Sequence, residues 1–185
     1  MISLVGLPGG GKTTIGRQLA RRLDLRFVDS DHEIERRIGG SIRDFFAREG
    51  EERFRDIEQQ VIAELAGQPD IVLATGGGAV LREANRQVLH DRSTVVYLRA
   101  SPEEVMRRLR HDTQRPLLQV EDPLARLREL EAARGPLYQA SSHFVVDTGR
   151  FTLPMALGTV MMQLELAGVI PSTGRTPASA RRRRR

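Results

Sequence analysis

The chain's only lysine, Lys12, lies within Gly6-Leu7-Pro8-Gly9-Gly10-Gly11-Lys12-Thr13, the G-x-x-x-x-G-K-[ST] spacing of a phosphate-binding loop. The other basic side chains are 28 arginines. A compact ammonium is therefore selected at this one point, where a planar guanidinium would be too large for a loop wrapped round a phosphate. The flanks agree. Ile2-Ser3-Leu4-Val5 is a short apolar run that reads as a buried strand, and Thr14 to Leu23 carries Ile15, Leu19 and Leu23 at helical spacing. A loop between a strand end and a helix start directs backbone N–H groups inward and adds the positive end of the helix dipole. Gly9, Gly10, Gly11 and Thr14 would line the phosphates, Lys12 would bridge the β- and γ-phosphates, and the Thr13 hydroxyl would ligate Mg2+.

Such a loop commits the chain to a parallel α/β architecture. Four further runs, Arg26 to Val28, Ile71 to Ala74, Thr94 to Leu98 and Phe144 to Val146, lack polar alternation, as strands covered on both faces do. Helical patterns fall near Arg82 to Leu89, Pro102 to Arg110, Leu124 to Gln139 and Leu153 to Ala167. The expected fold is a three-layer α/β/α sandwich on a central five-stranded parallel sheet with right-handed crossovers. Two connections exceed what a crossover needs. The charged, helical stretch from Asp31 to Ala66 suits a cap over the sheet's C-terminal edge, where ligands of open α/β sheets bind. His111 to Pro123, with Gln114-Arg115-Pro116-Leu117-Leu118, reads as a mobile lid.

At 185 residues the chain fits one domain, expected over residues 1–169. The absence of cysteine excludes disulfides and thiolate metal sites, and His32, His90, His111 and His143 lack zinc-ligand spacing. Neither a signal peptide nor a membrane-length apolar run is apparent, so a cytoplasmic protein without a membrane partner is expected. The net charge of +5 comes from Arg181 to Arg185; removing those five of 29 basic residues leaves 24 against 24 acidic ones. The body is thus not a polyelectrolyte binder, and no specific nucleic-acid partner is expected. Residues 170–185, rich in Pro, Ser, Thr, Gly and Ala before the arginine run, read as a disordered tail.

Asp29 and Asp31 end the second strand, and their i, i+2 spacing turns both carboxylates toward one region. One would hold Mg2+ through water while the other meets an acceptor hydroxyl; the same residues also suit helix capping. Gly76-Gly77-Gly78, following a buried strand, offers N–H groups and close backbone approach, or serves as a plain turn. Periodicity alone does not single out Arg55 or Arg134 among so many arginines.

Taken together, these motifs resemble the shikimate kinase family from Ile2 to about Asp147. The resemblance is carried by Asp29-Ser30-Asp31 with Ile34-Glu35, Gly40-Ser41-Ile42, Gly50-Glu51 with Phe54-Arg55 and Glu58, Thr75-Gly76-Gly77-Gly78, Val96-Tyr97-Leu98, Arg115-Pro116-Leu117-Leu118 and Arg134-Gly135-Pro136-Leu137-Tyr138. It implies transfer of a phosphoryl group from ATP to the 3-hydroxyl of shikimate, on the route to chorismate and aromatic amino acids. It further implies that Asp31 contacts the acceptor hydroxyls and that Arg55 and Arg134 clamp the acceptor carboxylate, helped by the Gly76, Gly77 and Gly78 backbone. Arg115 would close from the lid, and Thr13 and Asp29 would belong to the magnesium shell. Phe46 and Phe54 would wall the acceptor pocket, with Glu58 holding Arg55. Arg108 and the segment Arg150 to Pro154 are the nearest candidates to flank adenine.

A related sugar-acid kinase such as a gluconate kinase shares the loop, but Phe54-Arg55 and Arg134 to Tyr138 argue against it. A nucleotide-dependent switch would need an Asn-Lys-x-Asp guanine-reading motif, which a chain with Lys12 alone cannot contain, and an RNA-binding regulator would need a basic body. A monomer acting on ATP and a small acidic acceptor is expected. Lys12→Arg should cut turnover by roughly a hundredfold or more while leaving the circular-dichroism spectrum intact, as measured by ADP release.

Overall fold

The computed structural model describes residues 1–109, 120–149 and 151–171. Five strands, β1 (Ile2–Val5), β2 (Arg26–Asp29), β3 (Ile71–Ala74), β4 (Thr94–Arg99) and β5 (Phe144–Asp147), form one parallel sheet in the order β2-β3-β1-β4-β5. Its register aligns Ile2 with Val72 on one side and Thr94 on the other. The chain thus reverses direction across the sheet beside β1, and the loop after β1 opens at this switch point, where α/β sheets bind ligands.

The unbroken apolar strands are explained by cover on both faces. Val5, Val28, Ile71, Leu73, Val95 and Tyr97 point into one core, and Ile2, Leu4, Val72, Val96, Leu98 and Val146 into the other. Alternate residues of each strand therefore serve opposite layers. The second core is closed by α1 (Lys12–Leu23) and α7 (Leu153–Leu166), through Ile15, Leu19, Leu157, Val160 and Leu164. The first is closed by α3 (Ile42–Leu65), α4 (Glu83–Arg92), α5 (Pro102–Leu109) and α6 (Pro123–Ser141), through Val61, Ile62, Leu89, Val105, Leu127 and Leu130. The stretch expected to form a cap is α2 (Ser30–Ile38) followed by α3, which breaks at Gly50 where the backbone takes φ 82° and ψ 173°.

Two sequence expectations shift. The first helix begins at Lys12 rather than Thr14, so the lysine belongs to its first turn. The body also extends past residue 169: Ile170 is 9 % exposed and packs with the second core, and the Val169 N–H donates to the Leu164 carbonyl. Composition marked this stretch as tail because one apolar side chain among Gly, Pro and Ser carries no periodic signal. Residues 111–119 of the expected lid, including Arg115, lie outside the described residues, as do Arg150 and residues 172–185.

At the opposite end of the sheet from the loop, the His90 and His143 rings stack 4.3 Å apart and 8° from parallel. The Val95 N–H donates 3.0 Å to His143 Nδ1, a bond only the deprotonated nitrogen can accept. Burial and the neighbouring His90 hold His143 below the ordinary histidine value of 6.5. The unfolded chain therefore binds more protons than the folded one between that lowered value and 6.5, so stability is complete above 6.5 and declines as the solution is acidified through the window. Chemical denaturation of the parent and of His143→Gln between pH 5 and 7.5 should isolate this contribution: the stability difference between the two proteins should shift in favour of the parent as pH rises.

Candidate active site

The phosphate loop owes its shape to Gly11, which caps α1 with φ 93°, a left-handed conformation that glycine adopts without strain. Lys12 is only 8 % exposed, and its ammonium donates to the Gly6 and Leu7 carbonyls, each at 2.8 Å. The side chain is folded back along its own loop. Thr13 and Asp29 are joined across the α1 and β2 termini, the Thr13 hydroxyl donating 2.8 Å to Asp29 Oδ2. Asp29 Oδ1 accepts from the Asp31 N–H at 3.1 Å and caps α2. Capping and a cation-binding role need not compete, because each uses a different carboxylate oxygen. Paired hydroxyl and carboxylate oxygens are the hard donors that Mg2+ prefers.

Asp31 stands two residues beyond that cap, in the first turn of α2. Burial pushes its carboxyl up to about 6, and Asp29, Glu58 and Glu35 add to the rise while Lys12 opposes it. These influences locate Asp31 between the loop lysine and the acids of the cap. Its oxygen also occupies the space above Gly76, where a β-carbon would collide with it.

The glycine triplet is crowded, contrary to the open turn suggested by its sequence. A β-carbon on Gly77 would come within 2.8 Å of the Pro8 ring, and one on Gly78 within 2.5 Å of the Arg55 guanidinium. The Gly76 N–H is already engaged, donating 2.9 Å to the hydroxyl of fully buried Ser30. Of the triplet's N–H groups, this one therefore has a partner within the protein. Absent side chains here admit Asp31 and Arg55 to the sheet edge.

Arg55 donates 2.7 Å to Glu58 and 2.9 Å to Glu51. Glu58 is 1 % exposed; burial pushes its carboxyl up, against the pull of Arg55, Arg134 and Arg82. The Arg55 guanidinium lies 5.1 Å from the centre of the Phe54 ring and 6.0 Å from that of Phe46, and the two rings are 4.5 Å apart. Phe54 is buried in the core and Phe46 is half-buried beside it. Arg134, on α6, is half-buried and one helical turn before Tyr138, and its charge acts on both Glu58 and the Tyr138 hydroxyl. Of the two arginines that periodicity could not select, Arg55 is paired with the buried glutamate and Arg134 adds its positive field to the pair.

On the other flank, Arg108 donates to the Thr148 carbonyl and, at 3.4 Å, to the Gly10 carbonyl. It borders a cavity of about 180 Å3 lined also by Gly11, Thr14, Ile15, Phe151 and Leu153. This cleft connects the loop to the start of α7. Sequence reasoning missed Ser30, Pro8 and Thr148 as supports. Ser30 alone carried a signal, being flanked by the acidic pair, while the others act through contacts with no local pattern.

A family model described as shikimate kinase matches residues 8–163. The shikimate kinase of Paracidovorax citrulli is 61 % identical over 173 residues, covering 92 % of this chain and 94 % of that protein. That of Ralstonia nicotianae is 54 % identical over 179 residues, covering 96 % and 94 %. Among solved structures, shikimate kinase from Acinetobacter baumannii in complex with shikimate superposes with a TM-score of 0.83 at 44 % identity, covering 90 % of this chain and 93 % of that one. With its loop, sheet order and full-length relatives in agreement, the chain belongs to the shikimate kinase family.

Proposed function

We propose that the chain phosphorylates the 3-hydroxyl of shikimate with ATP, releasing shikimate 3-phosphate and ADP, through the residues gathered at the loop and the glycine triplet. The observation that carries this reading is the buried Arg55–Glu58 pair set against the glycine triplet beside Asp31, in the field of Arg134. Arginine forks suit a carboxylate because they grip both oxygens through charge-assisted bonds. Asp31 faces the acceptor hydroxyl and orients or deprotonates it. Lys12 swings from the Gly6 and Leu7 carbonyls to the β- and γ-phosphates, exchanging neutral acceptors for anionic ones. Thr13 and Asp29 would hold Mg2+, which neutralises phosphate charge when bound. Gly9, Gly10, Gly11 and Thr14 cradle the phosphates, and the cleft beside Arg108 receives adenine. Phe46 and Phe54 wall the acceptor, while Gly77 and Gly78 contribute backbone; Gly76 contributes the room for Asp31.

The protein is further read as a single domain with a substrate cap over residues 31–66 and a lid over 111–123 whose Arg115 meets the transferred phosphoryl group. It acts in the cytoplasm as a monomer. Among the described residues, no helix is long and apolar enough to cross a membrane.

A coupled ADP-release assay with shikimate, quinate, gluconate and no acceptor tests the substrate. Shikimate should dominate; a preference for gluconate, or release independent of acceptor, would overturn the proposal. Arg134→Ala should weaken acceptor binding by about 1.5 to 3 kcal/mol and leave the KM for ATP in place. Arg55→Ala is a less clean probe, since it strands Glu58 in the interior; Arg55→Ala with Glu58→Gln removes the pair together.

Asp31 should reveal itself twice. Its folded-state value lies above the ordinary 3.8, so the folded chain binds the extra proton between 3.8 and about 6, and stability falls as pH rises across that window. Asp31→Asn should raise unfolding stability at pH 7, by up to about 3 kcal/mol, while lowering turnover by about 10²- to 10⁴-fold. Thermal melts and single-turnover kinetics on the same preparation measure both, and parental turnover should climb through about pH 6 as Asp31 loses its proton.

A further inference from the structure

Tyr138 has no role in the reading above, yet it is among the largest fully buried side chains of the molecule. Its hydroxyl donates 2.6 Å to the Gly77 carbonyl, and Arg134 stands one helical turn before it on α6, its charge acting on the phenol. A guanidinium has only donors and a carbonyl only lone pairs. The hydroxyl is therefore oriented: its proton is committed to Gly77, and only lone pairs remain to offer the Arg134 side chain. On the far side, the Gly77 α-carbon is packed against Pro8 of the phosphate loop, where a β-carbon would come within 2.8 Å of the ring. The Tyr138 ring leans on Tyr97 at a centroid distance of 5.2 Å, and the Tyr97 hydroxyl donates 3.3 Å to Glu131. Ring packing and hydroxyl bonding thus have separate partners.

We infer that Tyr138 is a positioning residue for the acceptor, its hydroxyl fixing the Arg134 guanidinium relative to the Gly77 peptide and hence to the phosphate loop. A clamp arginine on a helix needs such a reference. Arg134 is half-buried and has several rotatable bonds, so without a fixed acceptor it would surrender side-chain entropy each time it gripped a carboxylate. The tyrosine absorbs that cost during folding and measures the distance between carboxylate and reacting hydroxyl from the opposite wall of the site. Burial pushes the phenol up to about 12, so the proton on which the orientation depends stays in place throughout the working range.

The inference rests on the clamp reading of Arg134, and the test separates the two. Tyr138→Phe keeps the ring and its contact with Tyr97 but removes the hydroxyl. The KM for shikimate should rise roughly tenfold, while the KM for ATP and kcat stay within about twofold of the parent. In an Arg134→Ala background the same change should add less than about twofold to the acceptor KM, because the hydroxyl then has no clamp to position. Replacement of Tyr138 by 3-fluorotyrosine, which keeps ring and hydroxyl, should retain near-parental acceptor KM.

An unchanged acceptor KM in Tyr138→Phe beside an impaired Arg134→Ala would overturn the tyrosine's role and leave the clamp standing. A normal Arg134→Ala would overturn the clamp and the inference with it. Equal rises in the KM for ATP and for shikimate, multiplicative losses in the double variant, or a loss in the fluorotyrosine protein as large as that in Tyr138→Phe would mark the residue as packing alone and overturn the inference.

Discussion

The site depends on one buried ion pair, Arg55 with Glu58. Both residues sit on α3 at i, i+3 spacing, so the helix itself sets their geometry. Two charges removed from water together hold only if each finds further partners. Arg55 finds Glu51 and the faces of Phe46 and Phe54; Glu58 finds the field of Arg134 and Arg82. Glu51, Phe46 and Phe54 lie on α3 itself, while Arg82 comes from the start of α4 and Arg134 from α6. Satisfying one pair therefore draws the cap, the glycine triplet and α6 around a common point, and a bare Gly78 is what allows the guanidinium to reach the sheet.

Opposite charges interleave in the cleft. Glu58 is paired with Arg55, and Asp29 meets Thr13 at the start of α1. Asp31 has no such partner among the described residues, and its carboxyl is raised by burial first and by Asp29 and Glu58 second, against the pull of the loop ammonium. Such an arrangement is costly without ligands and becomes favourable when a polyphosphate and a carboxylate arrive together. The stability forgone is the stored means of orienting the reactants.

Much of this was legible in the sequence because short-range chemistry dictated it. The loop spacing, the five apolar runs and the aspartate pair are local patterns, and each strand lies within a residue of its expected bounds. Arg55 and Arg134 were legible only through resemblance to a family, since their meeting depends on how α3 and α6 pack across the sheet. The roles of Pro8 and Tyr138 were illegible for a similar reason: each acts through a contact with Gly77 that leaves no local pattern. Ile170 failed differently. A lone apolar residue amid tail-like composition has no periodicity, yet it fills a gap beside α7.

The buried, solitary lysine also has a chemical consequence. Apart from the chain's own α-amino group, no other primary amine exists anywhere in the molecule. Acylating reagents that would decorate an ordinary protein surface at many points meet here a surface of guanidinium groups, which they ignore. Their one internal target is an ammonium tucked against two carbonyls at the mouth of the nucleotide cleft. Amine-directed crosslinkers, fluorophores and acetyl donors thus find a single internal address, and reaction there would double as a readout of whether the loop is open or occupied.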